Sequence, residues 1–259
     1  MSKVLGIIAE YNPFHNGHLY HLKKSKELTS ADYTVAVISG NFTQRGSTSV
    51  IDKWSKAEMA LNNGIDLVLE LPVWYSISSA ENFANGAIKL LSSLEIIDYL
   101  SFGSETSDIR LLTSIADILC DESLEFKKML INELKSGISF PKARENTVIN
   151  YFEKNYVSDD FNISSIRDAL SSPNNILGIE YLKALKKCNS NINPVCVPRI
   201  EVGYNDTSAS DNFASATAIR NLLKNDDFDT IKNLIPSKSY SILIDCVNSG
   251  NLITDLNCF

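Results

Sequence analysis

Apolar runs of strand length recur along the chain at Val4–Ala9, Tyr33–Ser39, Ile65–Leu71, Ile97–Gly103 and Pro194–Ile200. Runs that are apolar throughout read as strands covered on both faces, the signature of a parallel sheet. Most are followed by residues in helical period. The first helix runs from about His18 to Leu28, with Leu19, Leu22 and Lys26 on successive turns. The second, from about Lys53 to Asn62, carries Ala57, Ala60 and Leu61 on one face and stops near Gly64, and a third spans about Glu81 to Leu94. This alternation predicts an α/β fold with a Rossmann-like parallel sheet.

Residues 108–156 break the alternation: helical spacing at Leu111, Ile115 and Ile118, then at Phe126, Leu130 and Leu134, predicts a helical insertion. From Ser158 to Asn175 the density of Ser, Asp and Asn predicts an irregular loop before a helix over Ile176–Lys187. Such loops sit at the carboxyl edge of a sheet and meet ligands. Ser215 is placed to cap a helix carrying Ile219, Leu222 and Leu223, and one more helix is expected over Ser239–Ser249. The expected organisation is one α/β domain over 1–235, with 236–259 starting a helical C-terminal region.

Composition narrows the class. With 259 residues, 44% of them hydrophobic, the chain can bury a full core. The N-terminal apolar run is short and ends at Glu10, too brief for a signal peptide or a membrane span, so a cytoplasmic protein with no membrane partner is expected. Five scattered cysteines without a Cys-x-x-Cys pair argue against a disulfide framework and a zinc site. A net charge of −7 gives no bulk attraction for nucleic acid, so any RNA contact must use a local patch.

The chemistry concentrates in one place. All three histidines lie between His15 and His21, inside Asn12-Pro13-Phe14-His15-Asn16-Gly17-His18-Leu19-Tyr20-His21, directly after the first strand. Pro13 sets a turn, Gly17 admits a close backbone approach, and the run enters a helix N-terminus. Unpaired N–H groups and the positive end of the helix dipole favour phosphate there, and His15 and His18 can add ring donors. The bland alternative is that His15 and His18 cap and pack while His21 is a surface residue. A second constellation, Ser215-Ala216-Thr217-Ala218-Ile219-Arg220, offers Ser215 and Thr217 hydroxyls and the Arg220 guanidinium to a polyphosphate. Further ligand-facing candidates are the loop Gly40-Asn41-Phe42-Thr43-Gln44-Arg45-Gly46, Gly103 at the end of the fourth strand, and Arg199 at the end of the fifth.

These motifs resemble the His-x-Gly-His nucleotidylyltransferase superfamily. Glu10 to His18, Ser39 to Gly46, Leu69-Glu70-Leu71-Pro72, Phe102 to Glu105 and Pro173 to Gly178 together resemble the bacterial tRNA(Met) cytidine acetate ligases. The resemblance implies ATP-dependent activation of acetate as acetyl-adenylate and acetyl transfer to the wobble cytidine of elongator tRNA(Met). It implies ATP contacts at Ile7, Ile8, Ala9, Glu10, Tyr11, Asn12, Pro13, Phe14, His15, Asn16, Gly17, His18, Leu19 and Tyr20, at Gly103, at Asn174 or Asn175, and at Arg199. Members of this family usually continue well past the Arg220 helix, so it also implies a C-terminal region that this sequence lacks.

On this reading His15, His18 and Arg220 act as imidazolium and guanidinium donors on the α-phosphate and the departing pyrophosphate, with Mg²⁺ bridging the phosphates. Tyr11, Phe14 or Phe42 could wall an acetate pocket; which group activates the amine stays open, Glu10 and Asp211 being acids near the motifs. Two rivals stand beside it: an adenylyltransferase for a phosphorylated cofactor precursor, and a nucleotide- and RNA-binding module without turnover.

Overall fold

A computed structural model describes residues 2–106, 108–155, 162–199 and 212–253. Strands β1 (Val4–Ala9), β2 (Tyr33–Ser39), β3 (Leu67–Leu71), β4 (Tyr99–Ser104) and β5 (Asn193–Pro198) form one sheet in the order β3-β2-β1-β4-β5, every pairing parallel. The chain steps outward from β1 to β3, then crosses back to place β4 on the other side of β1. That reversal opens a crevice at the carboxyl ends of β1 and β4.

Successive side chains of each strand enter opposite cores, as the period of two requires. Leu5 and Ile7 of β1 join Ala36 and Ile38 of β2 beneath helices α1 (Asn16–Thr29) and α2 (Lys53–Asn62). Ile8, Val35 and Val37 point the other way, towards α4 (Ala80–Ser93); the one-turn α3 (Val73–Ser76) precedes α4. The connection from β4 to β5 holds α5 (Ile109–Cys120), α6 (Leu124–Lys135), α7 (Phe140–Asn155), α8 (Ile163–Ser171) and α9 (Pro173–Lys187), which enlarge the α4 side. Helix α9 is central, packing on α4, α5, α8 and β4. It lies so close that a Cβ on Gly178 would sit 2.6 Å from the Phe102 ring. After β5 come α10 (Ala216–Lys224), α11 (Phe228–Leu234) and α12 (Ser237–Asn248), and α12 packs on α2.

The parallel sheet and the helical insertion agree with the sequence reading; the loop expected over Ser158–Asn175 does not. Asn162 caps α8 by accepting from the Ser165 N–H at 2.7 Å, and Pro173 opens α9, so part of that span is helix. The residues read as loop formers are caps and the solvated face of a short helix whose buried stripe is only Ile166 and Ala169. Residues 156–161 lie outside the described residues. Among the described residues, no helix is long and apolar enough to cross a membrane.

Candidate active site

The loop from β1 to α1 is tied to the rest of the chain by contacts that can be named residue by residue. Asn12-Pro13 is a cis peptide and Tyr11 has φ 48°. The Asn12 side chain accepts from the Val50 N–H at 2.8 Å, and Arg220 donates to the Asn12 carbonyl at 3.0 Å. Tyr11 and Phe14 are buried and stand behind His18, with ring centroids 4.8 and 5.5 Å from it.

His15 is the N-cap of α1, its Nδ1 accepting from the Gly17 N–H at 3.0 Å, and the His15 N–H donates to His18 Nδ1 at 3.2 Å. The two rings stack with centroids 3.7 Å apart. Because each Nδ1 is an acceptor, each neutral ring carries its proton on Nε2, which leaves two N–H donors at a helix N-terminus. Burial is the main reason both rings stay neutral: it lowers His15 to about 3, helped by Arg199 and Arg220, and holds His18 well below the ordinary value, helped by His15, His21 and Arg199. With no phosphate charge opposite them, the rings are thus neutral donors and not imidazolium ions. The bland reading is half right, since both histidines do cap and pack. His21 is no surface residue: its Nε2 lies 3.2 Å from the Ser101 hydroxyl, and burial lowers it to about 4.

The other candidates gather around this loop. A Cβ on Gly103 would meet Arg199 Cγ at 3.5 Å and His21 Cδ2 at 3.9 Å, so the β4 and β5 ends face α1 closely. The asparagine pair divides. Asn175 is buried, its carbonyl oxygen taken by Ser104 Oγ and by the N–H groups of Glu105 and Thr106. Asn174 is half-buried, donates to Glu105 at 2.5 Å and accepts from Arg199 at 3.2 Å, beside the crevice. Ser215 caps α10 through the Ala218 N–H at 3.1 Å, and the Thr217 hydroxyl accepts from Arg220 at 2.8 Å. Arg220, one turn into α10, thus bridges both constellations.

Several candidates have side chains committed elsewhere. Ile7, Ile8, Tyr11, Asn12, Pro13 and Phe14 are buried, so a ligand could meet only their backbone. Asn16 ties α1 to the later helices, donating to the carbonyls of Asn212 at 2.8 Å and Asn233 at 2.9 Å. Ala9 and Leu19 pack on the α1 side core, and Tyr20 meets Phe213 edge-on at 6.3 Å. Tyr11 and Phe14 belong to the core, whereas exposed Phe42 lines a cavity. Glu10 accepts from the Gln44 N–H at 2.6 Å, and Asp211 lies outside the described residues.

Sequence reasoning passed over Lys56, which is fully buried. Its ammonium donates to the carbonyls of Ser39 at 2.7 Å and Gly40 at 2.8 Å and to the Ser49 hydroxyl at 3.0 Å, pinning the loop after β2. Burial lowers it to about 8, with Glu10 and Glu70 opposing. Its position on the Met59–Ala60 face of α2 was the available signal, because a lysine on a buried stripe needs acceptors. Glu105 was likewise missed as the carboxylate that orients Asn174.

Relatives fit this geometry. A tRNA(Met) cytidine acetate ligase of Clostridium novyi (strain NT) is 46% identical over 257 residues, 99% of this chain and 62% of the relative. One of Thermoanaerobacter sp. (strain X514) is 50% identical over 240 residues, 93% of this chain and 58% of the relative. A crystal structure of Thermotoga maritima TmcAL bound with alpha-thio ATP superposes with a TM-score of 0.88 at 42% identity, covering 96% of this chain and 57% of that one. The chain therefore spans about three fifths of the length of the relatives it matches. The model of the HIGH nucleotidyl transferase family matches residues 2–259, and with its two histidines capping the helix beside the sheet's switch point, the chain belongs to that family.

Proposed function

We propose that this chain is the nucleotide-activating part of an ATP-dependent tRNA(Met) cytidine acetate ligase. The observation that carries the reading is the convergence of the His15 and His18 donors, Arg220, and the Gly103, Asn174 and Arg199 cluster on one crevice. The 46% and 50% identical relatives bearing that name, and the alpha-thio ATP bound to the Thermotoga maritima protein, support it.

In this mechanism the triphosphate lies on the α1 N-terminus, where the Gly17 end of the helix and the two Nε2–H groups meet its oxygens. Asn174 and Arg199 hold the nucleoside end, Ser215 and Thr217 flank the phosphates, and Arg220 compensates charge on the α-phosphate and pyrophosphate. An acetate oxygen forms a bond to the α-phosphorus, the bond to the bridging oxygen breaks, and pyrophosphate leaves. The cytidine exocyclic nitrogen then bonds the acetyl carbon, AMP departs, and the nitrogen loses a proton. Among the described residues no group of three or more His, Cys, Asp or Glu side chains is placed to hold a metal ion, and Mg²⁺, when bound, would supply charge neutralisation on the phosphates. Acting on tRNA, the protein would work in the cytoplasm.

Radiolabelled acetate and ATP, with and without tRNA(Met), test the reading. Acetyl-adenylate is expected without RNA and acetylated cytidine with it. His18→Ala should abolish acetate-dependent pyrophosphate release. Pyrophosphate exchange that needs a phosphorylated cofactor precursor, or ATP binding with no acetyl-adenylate, would overturn it.

A further inference from the structure

The β2–β3 half of the sheet's carboxyl edge carries a second opening that the nucleotide reading leaves unused. A cavity of about 200 Å³ is lined by Gly40, Asn41, Phe42, Glu70, Val73 and Ser76, and an adjoining one of about 90 Å³ shares Gly40 and Glu70 and adds Lys53 and Trp54. Both volumes fall below the range of about 300–1,000 Å³ usual for a drug-sized ligand, which suits a single ring. Aromatic side chains line both openings in solvent: Phe42 is 39% exposed and Trp54 is 75% exposed. Exposed aromatic faces around a ring-sized cleft are stacking surfaces for a nucleobase.

The polar group in the cleft is a carboxylate. Glu70 Oε2 accepts from Lys53 at 2.7 Å, which fixes the side chain, and among the described residues Oε1 makes no hydrogen bond. That oxygen would lie 2.2 Å from a Cβ on Gly40, so the missing side chain there leaves the carboxylate its present position beside the opening. A carboxylate accepts from the exocyclic amine of cytosine and meets the carbonyl of uracil as a second acceptor.

Position favours the same ligand. The candidate nucleotide-holding residues Gly103, Asn174 and Arg199 lie on the β4–β5 side, leaving β2–β3 open. Neighbouring strands are about 4.8 Å apart, and Ala9 pairs with Ile38, which pairs with Glu70, so Glu70 stands two strand spacings, about 10 Å, from the end of β1. Gln44 and Val50 anchor the intervening loop to Glu10 and Asn12.

Resting on the function proposed above, we infer that the cleft between the β2–α2 loop and β3 receives the target cytosine of the RNA. Glu70 accepts its exocyclic amine, and Phe42 and Trp54 flank its ring.

The test uses the 259-residue chain and a labelled anticodon stem-loop RNA with cytidine at the wobble position, against the same RNA with uridine there, read by fluorescence anisotropy. The wild-type chain is expected to bind the cytidine loop about tenfold more tightly. Glu70→Ala should remove the discrimination. Glu70→Gln, whose amide can accept or donate, should keep the cytidine affinity and gain affinity for uridine, and thermal melts establish that both variants fold. No binding of either loop, equal binding by the wild type, or discrimination that survives in Glu70→Ala overturns the inference and leaves the aromatic rim to a protein segment. Because acetyl-adenylate formation needs no RNA, its presence alongside such a result sinks the cleft alone, whereas its absence sinks the functional reading beneath it.

Discussion

A histidine that caps its own helix cannot also be a free cation, and that one constraint shapes the residue-scale chemistry here. His15 spends Nδ1 on the Gly17 N–H and lies among buried rings, so the protein keeps it neutral down to about pH 3. Its folded value is therefore below its unfolded value of about 6.5. Above that pH both states are neutral and nothing is lost; below it the unfolded chain takes a proton that the folded chain refuses, and stability falls as pH drops towards 3. The loss is about 1.4 kcal/mol per pH unit for one such site. His15→Asn retains a competent cap, so urea melts should show a shallower decline between pH 7 and 5 than in the wild type. An identical decline would mean His15 is ionised in the folded protein. The placement of His15 and His18 at the start of α1 was legible in the sequence, because Pro13 and Gly17 mark the turn into a helical period. Their protonation was not, since it depends on how deeply the fold buries the rings and on Arg199 and Arg220 reaching them from distant parts of the chain.

At the scale of elements, α9 shows how packing places a ligand residue. The helix presses on β4 at Gly178, and its N-terminus carries Asn174 to Glu105 and Arg199. Gly178→Ala drives a methyl into Phe102, which is buried, and should cost about 1–3 kcal/mol by overpacking. Chemical denaturation measures that cost, and calorimetry with ATP should show weaker binding because the Asn174 end moves with the helix. Unchanged ATP affinity at reduced stability would separate α9 from the nucleotide. Strands β1 and β2 were legible to the residue because their buried apolar stretches, Leu5–Ile8 and Val35–Ile38, lie in short runs bounded by polar residues. Helix α8 was not, because its polar face outnumbers its buried stripe, and α11 was hidden by its shortness.

Over the whole molecule, the sheet divides two cores, and α12 belongs to the one under α1 and α2. Leu243 and Cys246 are buried with Ile51, Met59 and Ala60, although nearly two hundred residues separate them in sequence. Leu243→Ala should cost about 2–5 kcal/mol, and the loss should appear in a single unfolding transition, monitored by circular dichroism, that also reports on β1. A separate early transition confined to α12 would show that the last helix folds apart from the sheet. What the sequence determined alone was local: which runs are strands, where helices are capped, and that His15, His18 and Arg220 sit at helix starts, because periodicity and capping act over a few residues. Tertiary structure decided which of Asn174 and Asn175 faces the crevice, that Lys56 is buried under the β2 carbonyls, and that Glu70 opens beside Gly40. Those depend on which surfaces meet once the chain crosses back over β1, and no short stretch of residues carries that information.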